Sequence, residues 1–281
     1  MIVMMKNRQL FGSAMLLLAA LLWGITYSIQ TLCNGLGTFT IIFFKTIGSV
    51  LLLAIAIVKK ERFTKTTILG GILIGAVACV GLVLQQKGLE LSSAANASFL
   101  SALYIVFVPI LSMFVGKKPK PKIYLAILVS LIGMYLLCIN GEFVLKIGDI
   151  LLLIGAIMFA LQIIFIDKFI NDVDPIAFTA VQQLVCSLFT GVIMLVVEKP
   201  SIISISENIL QLLYISLLSG ALAQVLQNRF QRDVEPSLSS ILMSFESVFG
   251  AVFGWIILNQ ALSTKEIIGC VLMFVAMLIA E

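Results

Sequence analysis

The chain alternates long apolar runs with short polar joints. Ten runs of 18 to 24 residues are separated by charges, Gly or Pro, and they lie at roughly 10–30, 38–58, 66–86, 92–115, 122–140, 148–168, 175–197, 207–228, 236–258 and 263–280. Each is close to the ~20 apolar residues that cross a bilayer as a helix. None shows the two-residue alternation of a transmembrane β-strand. The pattern therefore predicts an all-α integral membrane protein with ten transmembrane helices.

Composition narrows the class of function. The chain is 61% hydrophobic and 11% charged, which leaves no polar stretch long enough for a large soluble domain. It contains no His, which removes imidazole metal sites and Ser–His or Cys–His catalysis, and its five Cys form no CxxC pair. No GxxxxGK[ST] loop is present. We expect no cofactor, no enzymatic activity and no nucleic-acid partner, with the lipid bilayer as the surrounding medium.

The distribution of Lys and Arg predicts the orientation. With the N-terminus inside, 13 of the 18 basic residues lie at the inner face, four lie at the outer face, and Lys45 lies within a span. Cytoplasmic loops carry this excess of basic residues. Both termini are therefore predicted to be cytoplasmic, in a multi-pass protein of the cell membrane.

The sequence also aligns with itself. At an offset of 142, Gln85–Leu111 lies over Gln227–Phe253, which places Tyr104 over Glu246. The alignment predicts two halves, 1–141 and 142–281, with five helices each. Because five is odd, the second half must be inverted relative to the first, as in many secondary transporters. Tyr104 and Glu246 both fall near the predicted bilayer midplane, where such proteins bind their substrates.

Several segments resemble the EamA type of the drug/metabolite transporter superfamily. They are AALLWGITYSIQ, the span bearing Lys45, the run from Lys87 through Pro109, GDILLLIGAIMFALQIIF, DPIAFTAVQQLV and SSILMSFESVFGAVFGWIILNQALS. The resemblance covers essentially the whole chain. It implies two inverted five-helix repeats with alternating access to a central cavity, and transport of amino acids or other small metabolites by exchange or proton coupling. The chain departs from the family in having Lys45 where Arg is frequent, and Asn259 and Gln260 where an acid is frequent.

Two charged residues inside the spans are the main candidates for function. A carboxylate near the bilayer centre, as predicted for Glu246, costs roughly 2.5–3.5 kcal/mol on insertion scales, and such groups usually serve function. Glu246 could instead be a protonated group with a structural hydrogen bond. Lys45 could bind a substrate carboxylate, pair with Glu246, or extend its stem outward to the interface.

The remaining candidates are polar or aromatic residues on the same predicted spans. They are Trp23, Tyr27, Asn96, Ser101, Tyr104, Gln162, Gln182 and Ser244. Each has a structural alternative in packing or in a hydrogen bond between helices. Gln182 and its neighbour Gln183 point some 100° apart, so both cannot face one cavity equally. An aromatic-lined, sparsely charged cavity favours a small, partly apolar, zwitterionic solute.

Three classes of function remain open from the residues. The first is a secondary transporter that exports small metabolites such as amino acids, with protons as a candidate coupling ion, as a monomer or homodimer. The alternative within this class is efflux of cationic drugs or quaternary amines by proton antiport through Glu246. A membrane-embedded lipid-modifying enzyme or a sensor would be a different class, and the chain offers neither a second cavity acid nor a soluble domain.

Overall fold

The structure is a computed structural model that describes residues 2–58, 63–92, 99–139, 146–259 and 261–281. Fourteen α-helices lie wholly within these ranges. In chain order, α1 to α14 are Ile2–Thr31, Thr38–Ile47, Ser49–Ile57, Lys65–Leu91, Tyr104–Phe114, Pro121–Cys138, Ile147–Phe169, Pro175–Ile193, Ile202–Glu207, Ile209–Leu213, Ala223–Phe230, Pro236–Met243, Glu246–Leu258 and Thr264–Ala280. Two π-helical stretches, Met194–Glu198 and Tyr214–Leu222, continue α8 and join α10 to α11.

Eight helical segments of the described chain are long and apolar enough to cross a membrane. They are Asn7–Thr31, Thr38–Ile57, Lys65–Leu91, Pro121–Cys138, Ile147–Asp172, Pro175–Glu198, Ile209–Asp233 and Pro236–Leu258. Two shorter helices, Phe99–Phe114 and Thr264–Ala280, lie where the sequence predicts the fourth and tenth spans. Part of the predicted fourth span, residues 93–98, lies outside the described residues.

Most predicted boundaries agree to within a few residues, and two differ in ways that affect the site. The third span was predicted to end near 86, but α4 continues to Leu91, because Lys87 and Glu90 remain helical. The eighth was predicted to end at 228, but its helix continues to Asp233 through a short 3-10 turn. In both cases polar side chains extend a helix that hydropathy alone would end.

The exposed and buried surfaces show the polarity expected of a protein in lipid. Large apolar side chains are exposed along the helices; Val58, Phe114 and Ile202 are each 84% exposed. Many Gln, Ser and Thr side chains are buried instead. A soluble protein would instead bury the large apolar side chains and expose the polar ones to water. The apolar exterior fits hydrocarbon, and the polar groups gather inside, where helices and cavities can satisfy them.

Two helical segments are interrupted immediately before Tyr104 and Glu246. In the first, Leu103 N donates to Leu100 O at 3.2 Å and Ile105 N to Ala102 O at 3.2 Å, so the chain tightens locally to three-residue spacing. In the second, Phe245 N donates to Leu242 O at 3.3 Å and Ser247 N to Ser244 O at 3.1 Å. These bonds correspond pair by pair at the offset of 142 seen in the sequence.

A very close helix crossing fixes the segment around Lys45. A methyl group at Gly220, in the π-helical stretch, would collide with the Lys45 carbonyl oxygen. A methyl at Gly48 would lie 2.5 Å from the Ser216 carbonyl oxygen in the same stretch. Glycine at both positions therefore lets two backbones touch. This contact fixes the backbone position of Lys45 on α2.

The N-terminus of α2 is bound by carboxylates from two other helices. Glu198 accepts hydrogen bonds from Phe39 N at 2.8 Å, Thr40 N at 2.7 Å and Thr40 Oγ1 at 2.6 Å. Thr38 Oγ1 donates to Glu90, which also pairs with Lys87 at 2.8 Å. A carboxylate at a helix N-terminus satisfies otherwise unpaired N–H groups and opposes the helix dipole. These contacts attach α2 to both α4 and the end of α8.

Candidate functional site

A cavity lies among α1, α2, α4, α7, α8 and the segments around Gly220 and Glu246. The lining residues on α1 and α4 belong to the C-terminal halves of these helices, so the cavity lies toward the molecular end that the topology predicts to be outer. The wall mixes aromatic and aliphatic side chains with amides. Six of the predicted site residues line it: Trp23, Tyr27, Lys45, Tyr104, Gln162 and Glu246.

Lys45 and Glu246 are the two charged side chains in this lining. Lys45 comes from the first half of the chain and Glu246 from the second. Within the described part of the chain, no ion pair or hydrogen bond joins either group to another side chain, although their charges act on each other across the cavity. Two opposite charges facing one space without contact leave room for a solute that bears both.

The surroundings of Glu246 are aromatic. Tyr27 and Tyr104 lie close enough for their hydroxyl groups to be influenced by the Glu246 carboxylate. Trp23 lies on the same wall, and its indole Nε1 donates to the Ser219 carbonyl oxygen at 3.1 Å. That bond fixes the ring against the π-helical stretch. Glu246 itself follows the helix interruption at 244–245, a position that allows it to project into the cavity.

Glutamines make the cavity more polar than predicted. Seven line it: Gln30, Gln85, Gln86, Gln162, Gln183, Gln224 and Gln227. Of these, only Gln162 was among the predicted site residues. The signal that could have identified the others is the cost of an amide in hydrocarbon, which applies equally to every glutamine in a span. The expected partly apolar solute therefore faces many hydrogen-bonding groups.

Three predicted site residues do not line the cavity. Gln182 points away and accepts a hydrogen bond from Asn228 Nδ2 at 2.9 Å, whereas the adjacent Gln183 faces the cavity. Ser244 is fully buried, and its Oγ donates to the Ile241 carbonyl oxygen at 2.7 Å. Ser101 is 2% exposed and is not part of the lining. Each lies one or a few positions away from a lining residue, a difference that spacing on a helix cannot resolve. Asn96 lies outside the described residues.

A group of buried amides continues from the cavity toward the opposite end. We call Gln224, Gln227, Asn228 and Gln231 the amide seam. Gln224 Nε2 donates to Gln227 Oε1 at 2.7 Å, Gln227 Nε2 to Gln231 Oε1 at 3.4 Å, and Gln231 Nε2 to the Ile163 carbonyl oxygen at 2.6 Å. Asn228 Nδ2 contacts Thr179 Oγ1 at 2.8 Å and Gln182. Every residue of the seam is at most 8% exposed. The seam closes this side of the cavity with polar groups.

The arrangement has the chemistry of a binding site. No group of three or more His, Cys, Asp or Glu that could hold a metal ion occurs in the described ranges. A lone carboxylate and a lone ammonium on opposite helices, surrounded by amides and aromatic rings, can bind a small zwitterion by paired charges and hydrogen bonds.

Comparisons with known proteins agree with this description. The model of the EamA-like transporter family matches residues 10–139 and again residues 146–280. An uncharacterised transporter of Archaeoglobus fulgidus is 26% identical over 277 residues, which is 98% of this chain and 87% of the relative. A protein crystal structure with 17% identity superposes with a TM-score of 0.82 over 97% of this chain and 96% of that one, so the fold is shared. The family predicted from the sequence motifs is thus confirmed: the chain belongs to the EamA-like transporter family of membrane transporters.

Proposed function

We propose that the protein is a secondary transporter that exports small zwitterionic metabolites such as amino acids by alternating access to the cavity between Lys45 and Glu246. It contains ten transmembrane helices in two inverted five-helix repeats, 1–141 and 142–281, with both termini in the cytoplasm. Lys45 binds the carboxylate of the solute. Glu246 binds its ammonium group or exchanges a proton as access alternates.

One observation carries the proposal: two opposite charges, one from each half of the chain, face the same cavity without an ion pair between them. The interruptions before Tyr104 and Glu246, with equivalent hydrogen bonds at an offset of 142, support two related halves. So do the two separate matches of the family model. Interrupted helices at the midplane are a frequent feature of substrate sites in secondary transporters.

Glu246→Gln in proteoliposomes tests the role of the carboxylate, because the amide keeps its size but cannot titrate. Counterflow of labelled L-amino acids measures exchange, and accumulation driven by a pH gradient measures coupling. If Glu246 exchanges protons, the variant keeps counterflow and loses pH-driven accumulation. If it binds ammonium, both activities fall by about tenfold or more, the value of one charged hydrogen bond. Wild-type behaviour in both assays would contradict the proposal.

A specific observation favours cationic drugs or quaternary amines as a second substrate class. Trp23, Tyr27, Tyr104 and Phe159 line the cavity together with Glu246. Aromatic faces attract organic cations, most strongly when the cation is removed from water. A quaternary amine should then compete with amino-acid counterflow, and Lys45→Gln should leave transport of the amine intact while it weakens transport of the zwitterion.

A further inference from the structure

The buried amides that face the cavity are not all occupied by protein partners. Gln162 is 6% exposed and lines the cavity, yet it makes no hydrogen bond to any residue of the described chain. Although the residue as a whole is buried, its amide oxygen and nitrogen are open to the space of the cavity. An amide placed in this way can hydrogen-bond to water or to a ligand inside the cavity. Gln162 is therefore a polar group held ready for a partner inside the cavity.

Two neighbouring amides have a free acceptor. Gln183 uses its Nε2 to donate to the Gly220 carbonyl oxygen at 2.9 Å. Gln224 uses its Nε2 to donate to Gln227 Oε1 at 2.7 Å. No described residue donates to the side-chain oxygen of either, and both side chains line the cavity. The wall thus offers a complete amide at Gln162 and two further carbonyl oxygens.

The charged groups and the amides would recognise different parts of a solute. Lys45 and Glu246 can bind the carboxylate and ammonium that all zwitterionic amino acids share, so they do not distinguish one side chain from another. The amides can make this distinction. A side-chain amide both donates and accepts hydrogen bonds. Its best partner is therefore a planar group that can do the same, which is another carboxamide.

We propose that the cavity selects zwitterions whose side chain is a carboxamide, and that Gln162 is the residue that determines this specificity. The inference rests on the proposed function, since it presumes that Lys45 and Glu246 bind the backbone charges of the solute. A solute with an apolar side chain of equal length would leave Gln162, Gln183 and Gln224 desolvated and unpaired. A site that must hydrogen-bond its substrate discriminates strongly against an analogue that cannot.

The test compares L-glutamine with L-methionine, which has similar length and no amide, by counterflow into proteoliposomes. The variants are Gln162→Met and Gln162→Asn, with Gln211→Met as control because Gln211 is partly buried and lies outside the cavity lining. We expect wild type and Gln211→Met to prefer glutamine by about tenfold or more, the effect of one or two net hydrogen bonds. Gln162→Met should reduce this ratio to near one by losing glutamine transport, and Gln162→Asn should retain part of the preference.

The outcomes separate the two proposals. If wild type transports methionine as well as glutamine and Gln162→Met leaves the ratio unchanged, the specificity is wrong while zwitterion transport stands. If wild type moves neither amino acid nor any of the other zwitterions tested, the proposed function itself is wrong. If Gln162→Met does not fold, the transport ratio of Gln162→Asn tests the specificity instead. A second test is whether glutamine protects wild type against thermal unfolding more than methionine does. Equal protection by both would overturn the inference.

Discussion

At the scale of single residues, Lys45 carries a charge whose placement depends on backbone packing. It lies seven residues beyond Thr38, the first residue of α2, and it faces the cavity with Glu246. The sequence left three roles open for it. Snorkelling to the interface is disfavoured by its place in the cavity lining, and pairing with Glu246 by the absence of an ion pair between these two described residues. Binding of a solute carboxylate is therefore the role that we propose for Lys45.

Lys45→Gln should therefore weaken transport of zwitterionic solutes by about tenfold or more, because it removes a charge-assisted bond to the carboxylate. Lys45→Arg keeps the charge and should retain a larger share of activity. Initial rates of counterflow in proteoliposomes measure both. Lys65→Gln, at an exposed position, is the control. Equal rates in all four proteins would remove Lys45 from the site.

The carboxyl group of Glu235 lies outside the spans, in the turn before α12, and its environment is mixed. Partial burial raises the pKa of Glu235, while Lys120, Lys117 and Lys122 nearby act to lower it. A raised pKa means that the folded protein holds the proton more tightly than the unfolded chain. Glu235 therefore stabilises the fold most when protonated, and this contribution is lost as pH rises from 4.5, its ordinary pKa, through the raised value.

Glu235→Gln should abolish this dependence, because the amide stays neutral. The variant should match wild type in melting temperature at low pH and exceed it above the raised pKa. Thermal unfolding in detergent across a pH series measures the difference. Glu207→Gln, an exposed acid on α9, is the matched control and should follow the wild-type curve. A wild-type advantage at high pH would show that attraction to the lysines outweighs burial.

At the scale of elements, the contact between α2 and the π-helical stretch Tyr214–Leu222 leaves less room for an added Cβ than any other glycine contact in the described ranges. Gly220 touches the Lys45 backbone, and Gly48 approaches Ser216. π-Helical turns often occur at functional sites. Here the wider turn brings Gly220 against α2, and its carbonyl oxygen accepts the bond from Gln183. The element thus positions both the cation and one of the free amide oxygens.

Gly220→Ala should be severely destabilising, since its methyl group has no space beside the Lys45 carbonyl oxygen. Overpacking typically costs about 1–3 kcal/mol, and movement of α2 would also displace Lys45. Gly155→Ala is the control, because its methyl group would meet neighbours at ordinary distances of 3.4 Å or more. Melting temperature in detergent and counterflow rate should both fall in Gly220→Ala and change little in Gly155→Ala. Similar losses in both would contradict the assigned contact.

The sequence predicted the positions of the helices well, but it did not predict which way side chains point from them. Hydropathy located the helices because the cost of polar groups in lipid is large and continuous along a span. The offset of 142 aligned Tyr104 with Glu246, and the structure has an equivalent helix interruption before each of them, which the sequence did not predict. Hydropathy could not select Gln183 over Gln182, because neighbours on one helix differ only by rotation. Gln85 and Gln86 were missed although they lie within the predicted third span, because hydropathy does not show which way an amide at the end of a span points.

At the scale of the whole molecule, the loop that carries Lys117 and Lys118 and the cavity lie toward opposite ends. Lys117 and Lys118 lie in the loop before α6, where Lys117 pairs with Asp167. The cavity lies toward the end where α1 and α4 terminate. If basic loops face the cytoplasm, the cavity lies toward the outside in this conformation.

Cysteine labelling checks this orientation. In a background without the five native cysteines, Lys118→Cys should react with a membrane-impermeant maleimide only after the membrane is permeabilised. Ser201→Cys, exposed at the opposite end, should react in intact cells. Labelling of Lys118→Cys in intact cells would reverse the orientation and, with it, the direction assigned to the cavity.

The amide seam also determines what it would cost to separate α11 from α7 and α8. Parting an apolar contact exposes hydrocarbon to water at about 25 cal/mol per Å². The seam contains hydrogen bonds instead, and water can replace each of them at a net cost near 1 kcal/mol. Gln182 Nε2 and Asn228 Oδ1 have no hydrogen-bond partner while the seam is closed, so water that entered the seam would give each of them one. The seam therefore differs from an apolar contact in that water can take over its hydrogen bonds if the helices separate.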